Sequence, residues 1–364
     1  MSSSLAAHQS TLLQMTQTTP TCLWNDSADL DELAYSIGHG AVGATCNPVI
    51  ALSILKQKLP LWRSRIEALI QEMATATEDQ IGWKVVEEMS IQGAALLKPI
   101  FDAQGGRNGR LSIQTDPRFY RNSQAIVEQA VHFSRLAPNM IVKIPATRAG
   151  IAAMEECTYR GVSINATVSF TLPQAIAVAE AVERGLARRE KEGLEIRTMG
   201  PVCTIMVGRL DDWMKVLAEK EGICIDPGYL EWAGVAVFKK AYAIYRQRGY
   251  RLRLLSAAFR NHMHWSEFIG GDVVISPPYS WQVRYNASRI EATPRMDHPV
   301  DAKIVEALTE HFADFRRAYS EGGIAVEDFD TFGSTRRTLR QFLAAGAELN
   351  GIIRDLMIPN PDKK

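Results

Sequence analysis

Short apolar segments rich in Val and Ile alternate along the chain, from Thr21 onward, with longer stretches of helical periodicity. Many of these segments end in turn residues, as strands of an α/β protein do. The predicted strands are TCLWND (21–26), VGATCNP (42–48), RLSIQTD (110–116), MIVKIPAT (140–147), VSINATVSF (162–170), GPVCTIMVG (200–208), LRLLSAAFR (252–260) and DVVISP (272–277).

The stretches between these strands predict helices over residues 30–37, 49–97, 123–136, 150–159, 172–192, 211–248 and 262–269. Alternating strands and helices form a parallel sheet, and eight units favour a closed (β/α)8 TIM barrel over an open doubly wound sheet. We therefore predict the α/β class, with a single barrel over residues 21–364. Its extra C-terminal helices, over 299–358, are placed to pack across the barrel mouth. Residues 1–20, rich in Ser, Thr and Gln, predict a mobile N-terminal arm or loose helix.

The fifth predicted strand has one apolar and one polar row. The polar row comprises Ser163, Asn165, Thr167 and Ser169. Helices cover the outside of a barrel, so this row is expected to face the lumen. A half-exposed antiparallel strand would show the same alternation, but the surrounding strand–helix pattern disfavours it.

The fourth predicted strand carries Lys143 between Val142 and Ile144. Burial lowers the pKa of an ammonium group, and the neutral amine is a nucleophile that forms a Schiff base with a carbonyl. Taken alone, this segment is equally compatible with an edge lysine that extends its amine to solvent and with a buried ion-pair partner. The polar residues on the other strands favour the nucleophile.

Polar residues also lie near the carboxyl ends of the other strands, where active sites of such barrels are found. With Lys143 facing inward, the candidates that would surround it are Asp26, Asn47, Gln114, Thr167, Arg260 and Ser276. Asp26 is either a general acid/base or the cap of the following helix, a role that Ser27 or Asp29 fills equally well. Arg209 and Arg260 each end a strand before a helix, which suits either a bound phosphate or a structural salt bridge.

The charge balance and the cysteines narrow the class of protein. Lys plus Arg and Asp plus Glu both number 41, so no overall field favours nucleic acid or an anionic membrane. The five cysteines are scattered without a CxxC pair, which indicates a reducing, cytoplasmic setting. No apolar run is long enough for a membrane helix, and no signal peptide is evident.

Cofactor motifs are weak. His262 and His264 form an HxH pair without a clear third ligand, so we expect a packing or surface role and no metal. The absence of GxGxxG and Walker sequences leaves nucleotide cofactors without support. We therefore expect no cofactor.

Several segments of the chain resemble those of the transaldolases, which are class I Schiff-base aldolases on a (β/α)8 barrel. KIPAT (143–147) is identical to the lysine motif of the family, and ATCNP (44–48) is similar to its TTNP. SINATVSFTLPQAIA (163–177) resembles the NVTLIFSLEQA region, and AAFRN (257–261) with ISP (275–277) resembles ASFRN and ISP. The resemblance extends from Thr21 to about Pro278 and is strongest to the longer bacterial transaldolases.

The resemblance implies roles for individual residues. Lys143 would form the Schiff base, Asp26 would be the acid/base on the substrate hydroxyl, and Thr167 would position the catalytic water. The residues that would hold the substrate are Asn47 and Asn165 at its hydroxyls, Arg209 and Arg260 at its phosphate, and Thr204 where the family usually has serine. The implied reaction, of the pentose phosphate type, transfers a dihydroxyacetone unit from a ketose phosphate to an aldose phosphate.

One position departs from the family pattern. Gln114 in SIQTD stands where transaldolases have a general-acid glutamate, and an amide cannot exchange a proton near neutral pH. Fructose 6-phosphate aldolases also have glutamine here, but they add a tyrosine on the sixth strand, where this chain has Met206. The alternatives are thus an aldolase that releases dihydroxyacetone, a non-catalytic sugar-phosphate binder, or a metal-dependent aldolase that uses the HxH pair. A homodimer is compatible with the sequence, which does not set the oligomeric state.

Overall fold

The computed structural model describes residues 10–288 and 290–362 and contains eight short strands. Each of them falls within or overlaps one predicted segment. The strands are β1 (Cys22–Asn25), β2 (Ala41–Cys46), β3 (Arg110–Gln114), β4 (Met140–Pro145), β5 (Ile164–Ser169), β6 (Val202–Ile205), β7 (Arg253–Ala257) and β8 (Val274–Ser276).

Helices connect the strands and continue after the last one. In chain order they are α1 (Thr11–Thr18), α2 (Leu30–Gly38), α3 (Pro48–Glu72), α4 (Glu78–Ala103), α5 (Ser123–Ser134), α6 (Arg148–Tyr159), α7 (Leu172–Lys191), α8 (Val207–Glu221), α9 (Ala233–Arg248), α10 (Met263–Ser266), α11 (Tyr279–Ala287), α12 (Ala302–His311), α13 (Ala313–Tyr319) and α14 (Gly333–Met357). Short 3₁₀ turns occupy Pro117–Phe119, Pro227–Trp232 and Val326–Thr331. In the described part of the chain, no helix has the length and apolar character needed to cross a membrane.

The strands form a closed barrel in which every strand runs parallel to the next and β8 pairs with β1. The predicted (β/α)8 architecture is therefore confirmed. The register places Gln114 beside Lys143, and Lys143 beside Asn165. Because all strands point the same way, their carboxyl ends meet at one mouth of the barrel, where these three residues lie.

Apolar side chains cover the outside of the barrel and fill its lower lumen. The outward faces of the strands, including Val142, Ile144 and Ile164, are fully buried against helices. A separate inner cluster fills the lumen with Trp24, Ile141, Val202, Leu255, Ala257 and Val274. Trp24 lies against Gly43, where a Cβ atom would come within 2.4 Å of the indole ring. A larger residue at position 43 would displace this tryptophan.

The polar row of β5 faces the lumen over most of its length. Asn165 donates from Nδ2 to Ser112 Oγ on β3 (3.0 Å) and accepts at Oδ1 from Thr204 Oγ1 on β6 (2.7 Å). The alternation fails at the end of the strand, where Val168 has φ +52° and the pairing with β6 shifts in register. Ser169 consequently lies beside the Cys203 thiol in the outer cluster rather than in the lumen.

The N-terminal segment is packed where the structure describes it. Residues 1–9 of the predicted arm lie outside the described residues, whereas Thr11–Thr18 form α1 with Leu12 and Met15 fully buried. The Trp265 indole donates to Met15 Sδ (3.2 Å), and Ser10 Oγ donates to Asn286 Oδ1 (2.8 Å). This part differs from a mobile arm because its few apolar residues share one helical face, which the barrel covers.

The last helix crosses the barrel mouth, as the C-terminal pattern predicts. α14 contacts α3, α4, α8 and the end of β5. Its barrel-facing side is buried and includes Thr335, Thr338, Leu339 and Phe342. The mouth is therefore bounded by strand ends, helix N-termini and this helix.

Candidate active site

Lys143 is the most deeply buried cation at the mouth, with 2% of its surface exposed. Within the described residues, its amine forms no hydrogen bond and no ion pair. Burial lowers the pKa of Lys143 and the nearby Arg209 lowers it further, while Asp26 and Cys46 act in the opposite direction. A desolvated amine without a partner has a larger neutral, nucleophilic fraction at neutral pH.

Asp26 follows β1 at the same mouth and accepts a hydrogen bond at Oδ1 from Thr45 Oγ1 (2.7 Å). It does not cap the next helix. Asp29 fills that role, since its Oδ1 accepts from the backbone N–H groups of Asp31 (3.0 Å) and Glu32 (3.2 Å) at the start of α2. The half-buried Asp26 is thus left available for proton transfer near Lys143.

Gln114 and Ser276 are buried at the strand ends with unsatisfied groups. Gln114 Oε1 and Ser276 Oγ have no hydrogen-bond partner within the described residues. A buried polar group without a partner is costly, and a bound polar ligand or water removes the cost. Both atoms are therefore available to a polar ligand or to water.

The amides of Asn47 and Asn165 have structural partners as well. Asn47 caps α3, because its Oδ1 accepts from the N–H groups of Val49 (2.9 Å) and Ile50 (3.0 Å), which leaves its Nδ2 as the free donor. With Gln114, it lines a mainly apolar cavity of about 180 Å³ beneath α14. Asn165 is held between Ser112 and Thr204, so its substrate contacts are limited to its remaining donor and acceptor positions.

Thr167 lies next to Met206 inside the mouth, with Oγ1 3.8 Å from the Met206 Sδ atom. Its hydroxyl has only this weak partner in the described structure. It can therefore reorient toward a water molecule. The position that carries a tyrosine in fructose 6-phosphate aldolases holds a thioether here, which cannot exchange a proton.

Arg209 lies in the first turn of α8 and lines a cavity of about 440 Å³ with Arg260 and five hydrophilic residues of α14, among them Ser334, Arg337 and Arg340. Its Nη1 donates to Gln341 Oε1 (2.6 Å), but its buried Nε has no partner within the described residues. Burial, together with the charges of Arg260 and Arg337, lowers the pKa of Arg209 to about 10. A bound anion would offset this desolvation and repulsion.

Arg260 is more exposed and already has a carboxylate partner. Its Nη2 and Nε lie 2.7 and 3.0 Å from Asp212 Oδ2, and its Nη1 donates to the Phe259 carbonyl (3.0 Å). The salt bridge that the sequence left open is therefore present. The outer side of this cavity remains accessible, so a ligand would share Arg260 with Asp212.

The HxH pair has a packing role at His264. This residue is completely buried, its Nε2 lies 2.8 Å from Asp211 Oδ2, and its Nδ1 accepts from the Arg260 N–H (3.0 Å). Both ring nitrogens are occupied, which leaves no lone pair for a metal. The hydrogen-bonded His264 and Asp211 side chains hold the loop after β7, where Ala258 adopts a left-handed φ of +64°.

We expect His264→Ala to lower the free energy of unfolding by about 3–5 kcal/mol, because it leaves the buried Asp211 carboxyl without its partner. Urea denaturation followed by circular dichroism measures this loss. The matched control is His262→Ala, an exposed position on the same loop, which should change the free energy by less than about 0.5 kcal/mol. Equal effects of the two substitutions would contradict a structural role for the hydrogen bond between His264 and Asp211.

Several site residues were not found by sequence reasoning. Thr45, the hydrogen-bond donor to Asp26, lies inside a strand pattern without a distinguishing signal. Ser334, Arg337 and Arg340 enter the mouth only because α14 crosses it. The run STRRTLR (334–340), which places three arginines at the start of a helix, is the one signal that could have identified them.

Comparison with known proteins agrees with this architecture. A family model described as transaldolase/fructose-6-phosphate aldolase matches residues 23–323. The chain belongs to this family. Transaldolase 1 of Streptomyces avermitilis is 30% identical over 219 residues, which cover 59% of this chain and 57% of that protein. The transaldolase of Thiobacillus denitrificans is 31% identical over 233 residues, covering 61% and 64%. The matched segment thus spans less than two thirds of the length of either relative.

Proposed function

We propose that this protein is a transaldolase that transfers a dihydroxyacetone unit from a ketose phosphate to an aldose phosphate through a Schiff base on Lys143. One observation carries the proposal. The Lys143 amine is buried at the mouth of a barrel of the transaldolase/fructose-6-phosphate aldolase family and has no partner within the described residues. Five free thiols suit the expected reducing, cytoplasmic setting.

The reaction begins when the neutral Lys143 amine attacks the C2 carbonyl of the ketose phosphate, and water leaves to give an iminium ion. Asp26 then removes the proton of the C4 hydroxyl. The C3–C4 bond breaks, its electron pair moves into the iminium group, and an aldose phosphate departs. The enamine of dihydroxyacetone stays on Lys143. A second aldose phosphate accepts it, Asp26 returns the proton, and water hydrolyses the new Schiff base.

The remaining site residues bind and orient the substrate in this proposal. Asn47 Nδ2 and the free positions of Asn165 contact sugar hydroxyls, while the unsatisfied Ser276 and Gln114 atoms accept further hydrogen bonds or a water. Thr204 orients Asn165 through its 2.7 Å hydrogen bond. Thr167 holds the water that is released and later consumed. No step uses a metal or an organic cofactor, because the lysine itself supplies the electron sink.

A product assay tests the proposed function against its alternatives. The protein is incubated with fructose 6-phosphate, with and without erythrose 4-phosphate, and free dihydroxyacetone and seven-carbon sugar phosphate are quantified. Transfer that depends on the acceptor is the expected result. Release of dihydroxyacetone without an acceptor would instead identify an aldolase like the fructose 6-phosphate aldolases, which share the glutamine at position 114. Binding without turnover would identify a sugar-phosphate binder.

We expect Arg209→Ala to raise KM for phosphorylated substrates by about 10–100-fold, because one charge-assisted contact to the phosphate is lost. Arg260→Ala should act in the same direction but less strongly, since Asp212 shares its guanidinium group. Steady-state kinetics with glyceraldehyde 3-phosphate and with unphosphorylated glyceraldehyde as acceptors measure the difference. Equal losses for both acceptors would assign the arginines a structural role only.

A further inference from the structure

A second, larger cavity lies at the mouth between the N-terminal ends of α5 and α6 and the first half of α14. It has a volume of about 830 Å³ and opens to solvent. Four arginines line it: Arg121, Arg148, Arg336 and Arg340. Arg340 also lines the cavity of Arg209, so the two cavities adjoin along α14.

These four arginines differ from most others in the protein. Many arginines elsewhere are held by carboxylates, as Arg118 is by Asp79 and Asp116, and Arg251 by Glu183 and Glu190. Within the described residues, none of the four side chains forms a hydrogen bond or an ion pair. Two carboxylates, Glu327 and Asp330, also line the cavity, which leaves an excess of positive charge in a chain of zero formal charge.

One of these carboxylates already has a partner. Asp330 Oδ1 accepts a hydrogen bond from the backbone N–H of Arg148 (3.0 Å), at the start of α6. Burial raises the pKa of Asp330, while this hydrogen bond and the nearby charges of Arg121 and Arg148 act in the opposite direction. Asp330 forms no ion pair with either guanidinium group within the described residues, so the arginine side chains keep their donors for a ligand.

The start of α14 is unfavourable as a helix terminus. It has no side-chain cap and no acidic residue in its first turn. Arg336 and Arg337 instead place two cations at the end where the helix dipole is positive, and Arg336 and Arg340 repel each other as an i,i+4 pair. Such a local conflict is typical of a functional site, where a bound anion relieves it.

We propose that the cavity of Arg121, Arg148, Arg336 and Arg340 is a second anion-binding site, separate from the Arg209 cavity, and that it binds a phosphoryl group. The four arginines are exposed side chains that line one cavity. A phosphoryl dianion is small enough for this cavity and accepts the N–H donors of several guanidinium groups. The Ser123 hydroxyl and the Tyr120 side chain add polar and aromatic contacts on the same wall. Direct binding of phosphate detects this site whether or not the protein catalyses the transaldolase reaction.

The phosphoryl group has two sources, which kinetics distinguish. If it belongs to the reacting sugar, inorganic phosphate in this cavity competes with the substrate. If it belongs to a separate phosphate ester, phosphate and substrate bind at the same time and inhibition or activation is non-competitive. Phosphate in the Arg209 cavity adds competitive inhibition in either case, so the change caused by Arg148→Ala is decisive. Initial rates over a grid of phosphate and fructose 6-phosphate concentrations show whether this variant loses a competitive component, which indicates the reacting sugar, or a non-competitive one, which indicates a separate ester.

Calorimetric titration of the full chain with inorganic phosphate, at constant ionic strength, tests the proposal. Wild-type protein should bind two phosphate equivalents, one in each cavity. Arg148→Ala and Arg336→Ala should each weaken one of the two by about tenfold or more and leave the other unchanged. Arg209→Ala should weaken only the other. If phosphate fails to bind in the Arg209 cavity but binds in the second one, the result speaks against the proposed function and supports this inference.

Thermal unfolding separates a binding role from a structural one. Without phosphate, Arg336→Ala should melt at or above the wild-type temperature, because it removes a repulsive pair at the start of α14. With phosphate, it should gain less stability than the wild type. The control is Arg135→Ala, an exposed arginine at the end of α5, which should retain both equivalents and the full gain. The proposal would be overturned if Arg148→Ala and Arg336→Ala weakened no phosphate equivalent of the wild type, or if Arg336→Ala melted below the wild type in phosphate-free buffer.

Discussion

Borohydride reduction in the presence of fructose 6-phosphate should attach one reduced dihydroxyacetone unit to the protein, and peptide mass analysis should locate it at Lys143. Lys143→Met should abolish this adduct and lower kcat by about 10⁴-fold or more, since loss of a covalent nucleophile removes the central step. Methionine matches the volume of the aliphatic stem. Intact-protein mass spectrometry and a coupled transfer assay measure both effects.

The stability of this variant provides a second readout. The Lys143 amine is buried and has no partner within the described residues, so its charge opposes folding. Lys143→Met should consequently unfold at the same or a higher urea concentration than the wild type, which separates lost chemistry from lost structure. Lys98→Met, at a half-buried lysine of α4 that is ion-paired with Asp102, is the control and should keep adduct and activity. An adduct on any other lysine, or activity without an adduct, would exclude the Schiff base at Lys143.

Gln114→Glu should raise transaldolase kcat by about tenfold or more, because a positioned acid–base group contributes about 10²–10⁴-fold to proton transfer. In the proposed mechanism, glutamine orients the water of Schiff-base formation and hydrolysis but exchanges no proton with it. Asp26 would then be the only group that transfers protons in the wild type. Steady-state rates of transfer and of dihydroxyacetone release, measured in both proteins, show whether the gain falls on transfer.

The pH dependence should change in a defined direction. The register places residue 114 beside Lys143, so a carboxylate there favours the ammonium form and raises the pKa of Lys143. The acidic limb of kcat/KM should move to higher pH in Gln114→Glu, because the amine becomes neutral only at higher pH. Gln114→Met, which has similar length and no acid–base group, should keep the wild-type limb. If Gln114→Glu abolishes activity in a folded protein, glutamine is the working residue and its interpretation as a handicap is wrong.

The strand order and the place of Lys143 were predictable because they depend on local patterns. Alternation along a strand reports which side chains share a face, and this pattern placed Asn165 and Thr167 on the lumen side of β5. Parallel strands in sequence order then bring their carboxyl ends to one mouth. The same reasoning failed at Val168, whose positive φ turns Ser169 outward, because a local twist of this kind leaves no trace in periodicity.

The partners of the charged residues depended on contacts between distant parts of the chain. The sequence did not distinguish between a helix cap and a general acid/base at Asp26. Only the structure shows that Asp29 is the cap of α2. It likewise shows Arg260 paired with Asp212, 48 residues away, and Arg209 hydrogen-bonded to Gln341, 132 residues away.

By itself, then, the sequence determined the barrel, the order of its strands, the inward lysine and the substitution of Gln114 for a proton donor. Only the tertiary structure decided which groups have no partner within the described residues: Lys143, the Gln114 oxygen, the Arg209 Nε, and Arg121, Arg148, Arg336 and Arg340. Whether a charge has a partner depends on how α14 crosses the mouth. That packing arises from apolar burial over the whole helix and has no short-range signal in the chain.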